Sequence, residues 1–234
     1  MNILGVILAR KGSKGVKNKN HLKLNGKNLI EIAIESAKKS KKLSKIIFST
    51  DDKILQKQAE KLGISAPFLR PKKISNDKAT SFSVLKHSID WLKKNEDWNT
   101  DIVVLLQPTT PFRSGNIIDK VIELLIKKKA DASITITDAE YPPHWMMYEK
   151  RKILKNIISG GNRYTRRQDT PKVYKPAGMV YALKKNFLYR IKGILPQGKT
   201  VGLYVDPKIS VNIDNYDHFL LAKIKSKKNK LNLE

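Results

Sequence analysis

Residues 10–20 carry side chains whose types and spacing suit a phosphate ligand. Of its five cationic residues, Arg10, Lys14 and Lys19 are the ones we single out, and the segment also holds one hydroxyl, Ser13, and two glycines, Gly12 and Gly15. Glycines let a chain turn tightly and present backbone N–H groups to an anion, and several cations complement a triphosphate. The spacing matches neither the Walker A sequence nor the dinucleotide glycine fingerprint. An ordinary lysine-rich surface turn is the alternative interpretation.

The sequence around this loop predicts an α/β fold. Short apolar runs typical of buried strands cover residues 3–9, 45–50, 101–106 and 132–137. Between them, helical spacing of apolar residues covers 29–37, 54–62, a segment from Ser81 to Trp91 and 117–128, and we expect Asp51 and Asp52 to cap the second of these helices. This alternation predicts a mostly parallel sheet with helices on both faces. Ligands of such sheets bind beyond the carboxyl ends of the strands, where residues 10–20 lie.

The alternation breaks at residues 139–176, which are polar and lack strong periodicity. We expect this insertion to be a small arm that packs on a second copy of the chain. Strand patterning returns at 178–183 and 201–205, and a last helix is expected at 217–225 with Asp217 as its N-cap. No internal repeat and no second core are visible, so residues 1–234 are predicted to form one domain.

The charge of the chain is strongly positive, with 47 Lys+Arg against 21 Asp+Glu and a formal net charge of +26. Such a surface suits nucleic acid or another polyanion. A general lysine bias is the competing interpretation, because lysine is spread along the chain without a nucleic-acid module. The sequence has no cysteine, no apolar run of about 18 residues and no recognisable signal peptide, so we expect a cytoplasmic protein outside the membrane.

Ordered motifs span most of the chain. They lie at residues 9–20, 24–30, 49–52, 67–71, 77–81, 106–113, 167–174 and 210–214. Read in sequence, these segments resemble the signature of the CMP-sialic acid synthetase (acylneuraminate cytidylyltransferase) family, which implies a Rossmann-like nucleotidyltransferase fold. Three positions depart from the family pattern, which are Asn28 in place of Pro, Asn212 in place of the first late Asp, and Ala177 in place of an Asn near the sugar.

The resemblance implies that CTP reacts with an acidic 2-keto-3-deoxy sugar to give a CMP-sugar and pyrophosphate. The sugar would be a nonulosonic acid of the sialic, legionaminic or pseudaminic type. A Kdo-type or other sugar nucleotidyltransferase is the nearest alternative, and a basic protein that binds polyanions without chemistry is the alternative from another class. Mg²⁺ is the implied cofactor, and a homodimer that binds neither membrane nor nucleic acid is expected.

The resemblance also implies roles for individual residues. Lys19, Arg10 and Asp214 would be catalytic, with Lys19 on the α-phosphate and Asp214 holding the metal. The implied nucleotide-binding residues are Arg10, Gly12, Ser13, Lys14, Gly15, Lys19, Asn20, Arg70, Ala79 and Ser81. The implied sugar-binding residues are Gln107, Arg167, Gln168 and Tyr181.

Several of these residues have a simpler interpretation. Asp214 could merely cap a helix, and Arg70 could be a solvated strand end. Arg113, at the end of the 106–113 motif, could serve the site or could be a surface charge beside a helix. His144, in the arm, could be structural or could reach the site.

Overall fold

The computed structural model describes residues 1–12, 19, 22–191 and 198–228. Its strands are β1 (Ile3–Leu8), β2 (Lys23–Leu24), β3 (Lys27–Asn28), β4 (Lys45–Ser49), β5 (Ile102–Leu106), β6 (Ala132–Asp138), β7 (Met147–Lys150), β8 (Ile153–Asn156), β9 (Tyr174–Lys184) and β10 (Thr200–Tyr204). Its α-helices are α1 (Leu29–Lys38), α2 (Lys53–Lys61), α3 (Ser81–Glu96), α4 (Gly115–Lys127), α5 (Lys185–Arg190) and α6 (Tyr216–Lys228).

Six strands form one sheet in the order β10-β6-β9-β5-β1-β4. β1 pairs in parallel with β4 and β5, and β6 pairs in parallel with β10. The central strands are apolar throughout, as expected of strands covered on both faces. The prediction of a mostly parallel sheet is confirmed.

β9 is the exception, because it runs antiparallel to both β5 and β6. The reason is the arm. β6 ends at the carboxyl edge of the sheet, and the chain returns to that same edge after the arm, where Asp138 pairs with Tyr174. A strand that enters at this edge has to run back toward the other one.

The apolar core lies on both faces of the sheet. On one face, α1, α4 and α6 bury residues such as Ile30, Val121 and Phe219 against side chains of β1 and β5. On the other face, α3 and α5 bury Leu85 and Leu188 against the opposite side chains of the same strands. The three layers hold the carboxyl ends of β1 and β5 beside each other in a rigid frame.

Helix caps explain one departure from the family pattern. The Asn28 side chain accepts hydrogen bonds from the N–H groups of Ile30 and Glu31, and the Glu31 carboxylate accepts from the Asn28 N–H. Asn28 therefore makes a complete capping box for α1, a role that a proline side chain could not fill.

Two predicted caps need correction. Asp52 caps α2 as expected, but Asp51 does not, because its carboxylate accepts the Lys11 N–H at 2.8 Å. Asp217 is not the N-cap of the last helix. That helix starts earlier, and the Asn215 side chain accepts the His218 N–H at 2.8 Å.

Residues 139–173 form the arm, which contains the β7–β8 hairpin and three short 3₁₀ turns. The Trp145 indole donates to the Tyr164 carbonyl at 2.8 Å, and the His144 ring packs edge-on against Tyr164. His144 thus serves the arm's own packing. Across the described ranges, no helix has the length and apolar character needed to cross a bilayer.

Candidate functional site

A cavity of about 430 Å³ opens at the carboxyl ends of β1 and β5. The cavity is lined by segments that are far apart in the sequence. Seven of the residues predicted for the site are among the lining residues: Arg10, Lys19, Arg70, Ala79, Ser81, Gln107 and Asp214. This is where an α/β sheet places its ligands. The cavity therefore brings the predicted nucleotide side and part of the predicted sugar side together.

Lys19 and Asp214 face each other in this cavity although 195 positions separate them in the chain. The Lys19 ammonium donates to the Ile213 carbonyl at 2.8 Å and lies 3.9 Å from an Asp214 carboxylate oxygen. Burial lowers the pKa of Lys19 below its ordinary value, Asp214 opposes that change, and Arg10 adds to it. Asp214 itself is 61% exposed, so its carboxylate is open to a ligand.

Arg10 also lines the cavity, and its guanidinium forms an ion pair with Asp77. Both side chains are partly exposed at the cavity mouth. An anion that enters the cavity meets two cations, Arg10 and Lys19, that already interact with carboxylates. The triphosphate would compete with those carboxylates for both cations.

Arg70 is 6% exposed and ties three segments together. It donates to the Ala9 carbonyl and to the Ser75 hydroxyl, each at 3.2 Å, and lies 3.5 Å from Asp51. Burial lowers the pKa of Arg70, and the Asp51 carboxylate partly offsets this change. Because Asp51 also accepts the Lys11 N–H, the Arg70–Asp51 pair fixes the backbone where the chain leaves β1. Arg70 is not the solvated strand end of the simpler interpretation.

The late motif offers donors that suit a divalent cation. The Asn212 amide donates to the second Asp214 oxygen at 3.0 Å, and the Asn212 carbonyl oxygen is buried without a hydrogen-bond partner among the described residues. Those residues contain no cluster of three acidic, histidine or cysteine ligands. The exposed Asp214 carboxylate fits a hard cation that takes its other ligands from phosphate and water, whereas Asn212 turns its amide nitrogen, not its buried side-chain oxygen, toward that carboxylate.

The four residues predicted to bind the sugar do not line one common cavity in the described structure. Gln107 lines the cavity, whereas Tyr181 packs on the sheet face that carries α3 and α5, where burial raises its pKa. Arg167 and Gln168 line a separate cavity of about 400 Å³ at the base of the arm. Arg167 donates there to the Ala139 carbonyl at 3.1 Å.

Four of the predicted nucleotide-binding residues, namely Ser13, Lys14, Gly15 and Asn20, lie outside the described residues. Gly12 is described, and its φ of +98° lies in the region that favours glycine. A side chain at this position would strain the turn that leaves β1.

The sequence left Arg113 open between a site residue and a surface charge, and the surface position is wrong. It is 2% exposed and lies behind the cavity wall formed by Gln107, Pro108 and Thr109. The available signal was its place after Pro111 and Phe112 at the end of a loop that follows a buried strand.

The chain is similar to known proteins along nearly its whole length. Residues 4–222 match the family model described as Cytidylyltransferase. The post-translational flagellin modification protein B of Campylobacter coli is 32% identical over 235 residues, covering 98% of this chain and 97% of that protein. The CMP-N,N'-diacetyllegionaminic acid synthase of Campylobacter jejuni is 32% identical over 226 residues, covering 94% and 93%.

Two further similarities bear on the activity and the fold. The N-acylneuraminate cytidylyltransferase of Escherichia coli is 30% identical over 235 residues, covering 99% of this chain and 54% of that protein, so this chain spans about half of its length. A solved structure of CMP:2-keto-3-deoxy-manno-octonic acid synthetase complexed with CTP matches with a TM-score of 0.68, covering 97% of this chain and 98% of that one. At 16% identity, that likeness shows the fold alone.

Proposed function

This chain belongs to the cytidylyltransferase family, and on that premise we propose that it joins the CMP group of CTP to a nonulosonic acid and releases pyrophosphate. The chain is a CTP-dependent nucleotidyltransferase by its family. The sugar class rests on relatives whose names specify legionaminic and N-acylneuraminic acids. The observation that carries the proposal is the cavity that Arg10 lines together with the facing pair Lys19 and Asp214.

The reaction needs positioning and charge neutralisation more than covalent chemistry. The anomeric oxygen of the sugar attacks the α-phosphorus and gives its proton to solvent, while the bond from that phosphorus to the bridging oxygen breaks and pyrophosphate leaves. Lys19 stabilises charge that develops on the α-phosphate, and Arg10 holds the outer phosphates. Arg70, Ala79 and Ser81 lie on the side of the cavity proposed for the cytidine.

Members of this family act with a divalent metal, and we propose Mg²⁺ here. The exposed Asp214 carboxylate would hold it, and the Asn212 amide N–H would orient that carboxylate. When bound, the cation would neutralise phosphate charge and stabilise the leaving pyrophosphate. The replacement of a second aspartate by Asn212 leaves one protein carboxylate, which is an ordinary Mg²⁺ arrangement.

Gln107 is the proposed sugar-side residue that already lines the cavity. Its amide can donate to a substrate carboxylate or accept from a sugar hydroxyl. The roles of Tyr181, Arg167 and Gln168 in binding sugar stay predictions, as does the cytoplasmic location.

We further propose that the arm joins two copies of this chain into a homodimer. The hairpin exposes large apolar side chains within a short stretch, which are Met146, Met147, Tyr148, Ile153, Leu154 and Ile157. A clustered apolar surface of this kind marks a protein contact more often than a free face. A second copy of the arm would cover it.

A pyrophosphate-release screen tests the proposed activity. Purified protein is given CTP, UTP, ATP or GTP with Mg²⁺, each alone and with nine-carbon or eight-carbon 2-keto acids. We expect release only when CTP and a nine-carbon nonulosonic acid are both present. Release with Kdo alone among the acids would favour the Kdo-type alternative. Absence of release with every pair, or equal release without sugar, would contradict the proposal.

A further inference from the structure

Arg113 is an almost fully buried cation at the end of the loop that follows β5. Its Nη1 donates to the Gln107 carbonyl at 2.9 Å, the Met179 carbonyl at 3.0 Å and the Thr110 hydroxyl at 3.2 Å. Among the described residues, no carboxylate forms an ion pair with it, and its Nε has no hydrogen-bond partner. Burial lowers its pKa to about 9. The site therefore holds a cation with incomplete compensation.

An apolar side chain would fill this space without that desolvation penalty. What the guanidinium adds is a set of directed donors, because a single nitrogen reaches acceptors on two separate segments. One segment is the turn of residues 107–110, and the other is β9 at Met179. The Thr135 hydroxyl accepts the Met179 N–H at 3.2 Å from the other side, so the anchor on β9 is itself held.

The turn that Arg113 holds is connected to the reacting groups by consecutive hydrogen bonds. The Thr109 carbonyl accepts the Ile213 N–H at 2.8 Å. The Ile213 carbonyl in turn accepts from the Lys19 ammonium at 2.8 Å, and Asp214 follows directly. The position of the turn thus sets where the late motif places Asp214 and where Lys19 is held.

We infer that Arg113 is a positioning residue, which fixes the 107–110 turn and through Thr109 sets Lys19 and Asp214 against each other. The inference rests on the proposed function for its catalytic consequence. The geometry it concerns exists in the protein without substrate. A loss of Arg113 would loosen the turn, shift the late motif and leave the cytidine side of the cavity in place.

The test compares Arg113→Met and Arg113→Lys with a matched control, Arg190→Met, an exposed arginine on α5 outside the cavity. We expect Arg113→Met to lower kcat by about 100-fold, the scale of a displacement of about 1 Å, while KM for CTP stays nearly constant. Arg113→Lys, which keeps the charge and part of the donor set, should fall between Arg113→Met and the wild type. The control should match the wild type in both constants.

Amide hydrogen exchange supplies a readout that does not depend on turnover. We expect the Ile213 amide to exchange faster in Arg113→Met, with the amides of β1 and β4 unchanged. If Arg113→Met does not fold, Thr110→Val removes one acceptor of the same guanidinium and should show the same pattern more weakly. Unchanged kcat in a folded Arg113→Met variant would overturn the inference. The inference would also be overturned if Arg113→Lys and Arg113→Met showed the same fall in kcat and the same rise in amide exchange. Inactive wild-type protein would instead contradict the proposed function, and the exchange experiment would still decide the role of Arg113.

Discussion

Lys19 is the residue on which the electrostatics of the cavity converge. Desolvation and Arg10 disfavour its charged form, whereas Asp214 favours it. An ammonium with a lowered pKa loses its charge earlier than an ordinary lysine as the solution becomes alkaline. A bound triphosphate would favour the charged form, because negative charge within a few ångströms raises the pKa of an amine.

This balance predicts an alkaline limb in kcat/KM for CTP. The protonated form of Lys19 is required and its pKa in the free protein lies below 10.5, so activity is full below that pKa and falls as pH rises through it. Asp214→Asn removes the carboxylate that raises the pKa, so the limb should move to lower pH. Lys19→Ala should cut turnover by about two to four orders of magnitude, the range typical of lost charge stabilisation in a water-excluded site.

The matched control is Lys19→Arg, which keeps a positive charge to high pH. Its residual activity should lack the alkaline limb. The pH dependence of CTP-driven pyrophosphate release, measured at saturating sugar, decides the matter. An alkaline limb at the same pH in wild type and Lys19→Arg would show that another group titrates.

For single residues, the sequence predicted which side chains belong to the site better than it predicted which groups those side chains contact. Arg10, Lys19 and Asp214 could be proposed because their motifs occur in family order, and the structure brings them to one cavity. The partners of Asp51 could not be foreseen, since a carboxylate before a helix normally caps it and only the fold places Lys11 and Arg70 beside it. The burial of Arg113 was missed for a related reason. An arginine in a loop is usually exposed, and nothing local reveals that β9 passes behind it.

At the scale of elements, periodicity predicted the long helices and the buried strands. Periodicity failed for elements that are very short and for strands whose pairing depends on the tertiary fold. α5 has only six residues and no side-chain cap, so it carries no periodic signal. The β7–β8 hairpin is exposed along both strands, so it lacks the alternation of a half-buried strand. The direction of β9 depends on where the arm returns the chain, which no local pattern encodes.

The arm gives a prediction about assembly. Ile153 and Leu154 are each 62% exposed on the hairpin, so replacing both with glutamate should leave the fold of one chain intact and destroy an apolar contact between two. We expect wild-type protein to be a dimer and the double variant Ile153→Glu/Leu154→Glu to be a monomer by light scattering.

A surface isoleucine elsewhere provides the control. Ile54 on α2 is 72% exposed and lies outside the arm, so Ile54→Glu should remain a dimer. Thermal unfolding of both variants checks that each chain is folded. A double variant that stays dimeric, or a wild-type protein that is monomeric, would contradict the proposed role of the arm.

The whole molecule combines a rigid three-layer frame with a strong excess of positive charge. The frame brings residues from both ends of the chain to the carboxyl edge of the sheet, where Lys19 meets Asp214. A net charge of +26 attracts polyanions in general and increases the encounter rate with a triphosphate. Charge of this kind is not selective. Selectivity has to come from the cavity, where the cations are few and each has a fixed partner.

The most direct test is a crystal structure of the protein with CTP and Mg²⁺. We expect the triphosphate in the cavity between the ends of β1 and β5, with its α-phosphate beside the Lys19 ammonium. A metal should lie between the phosphates and Asp214. A nucleotide bound at another place, or bound in the cavity with Asp214 turned away from the metal, would contradict the account.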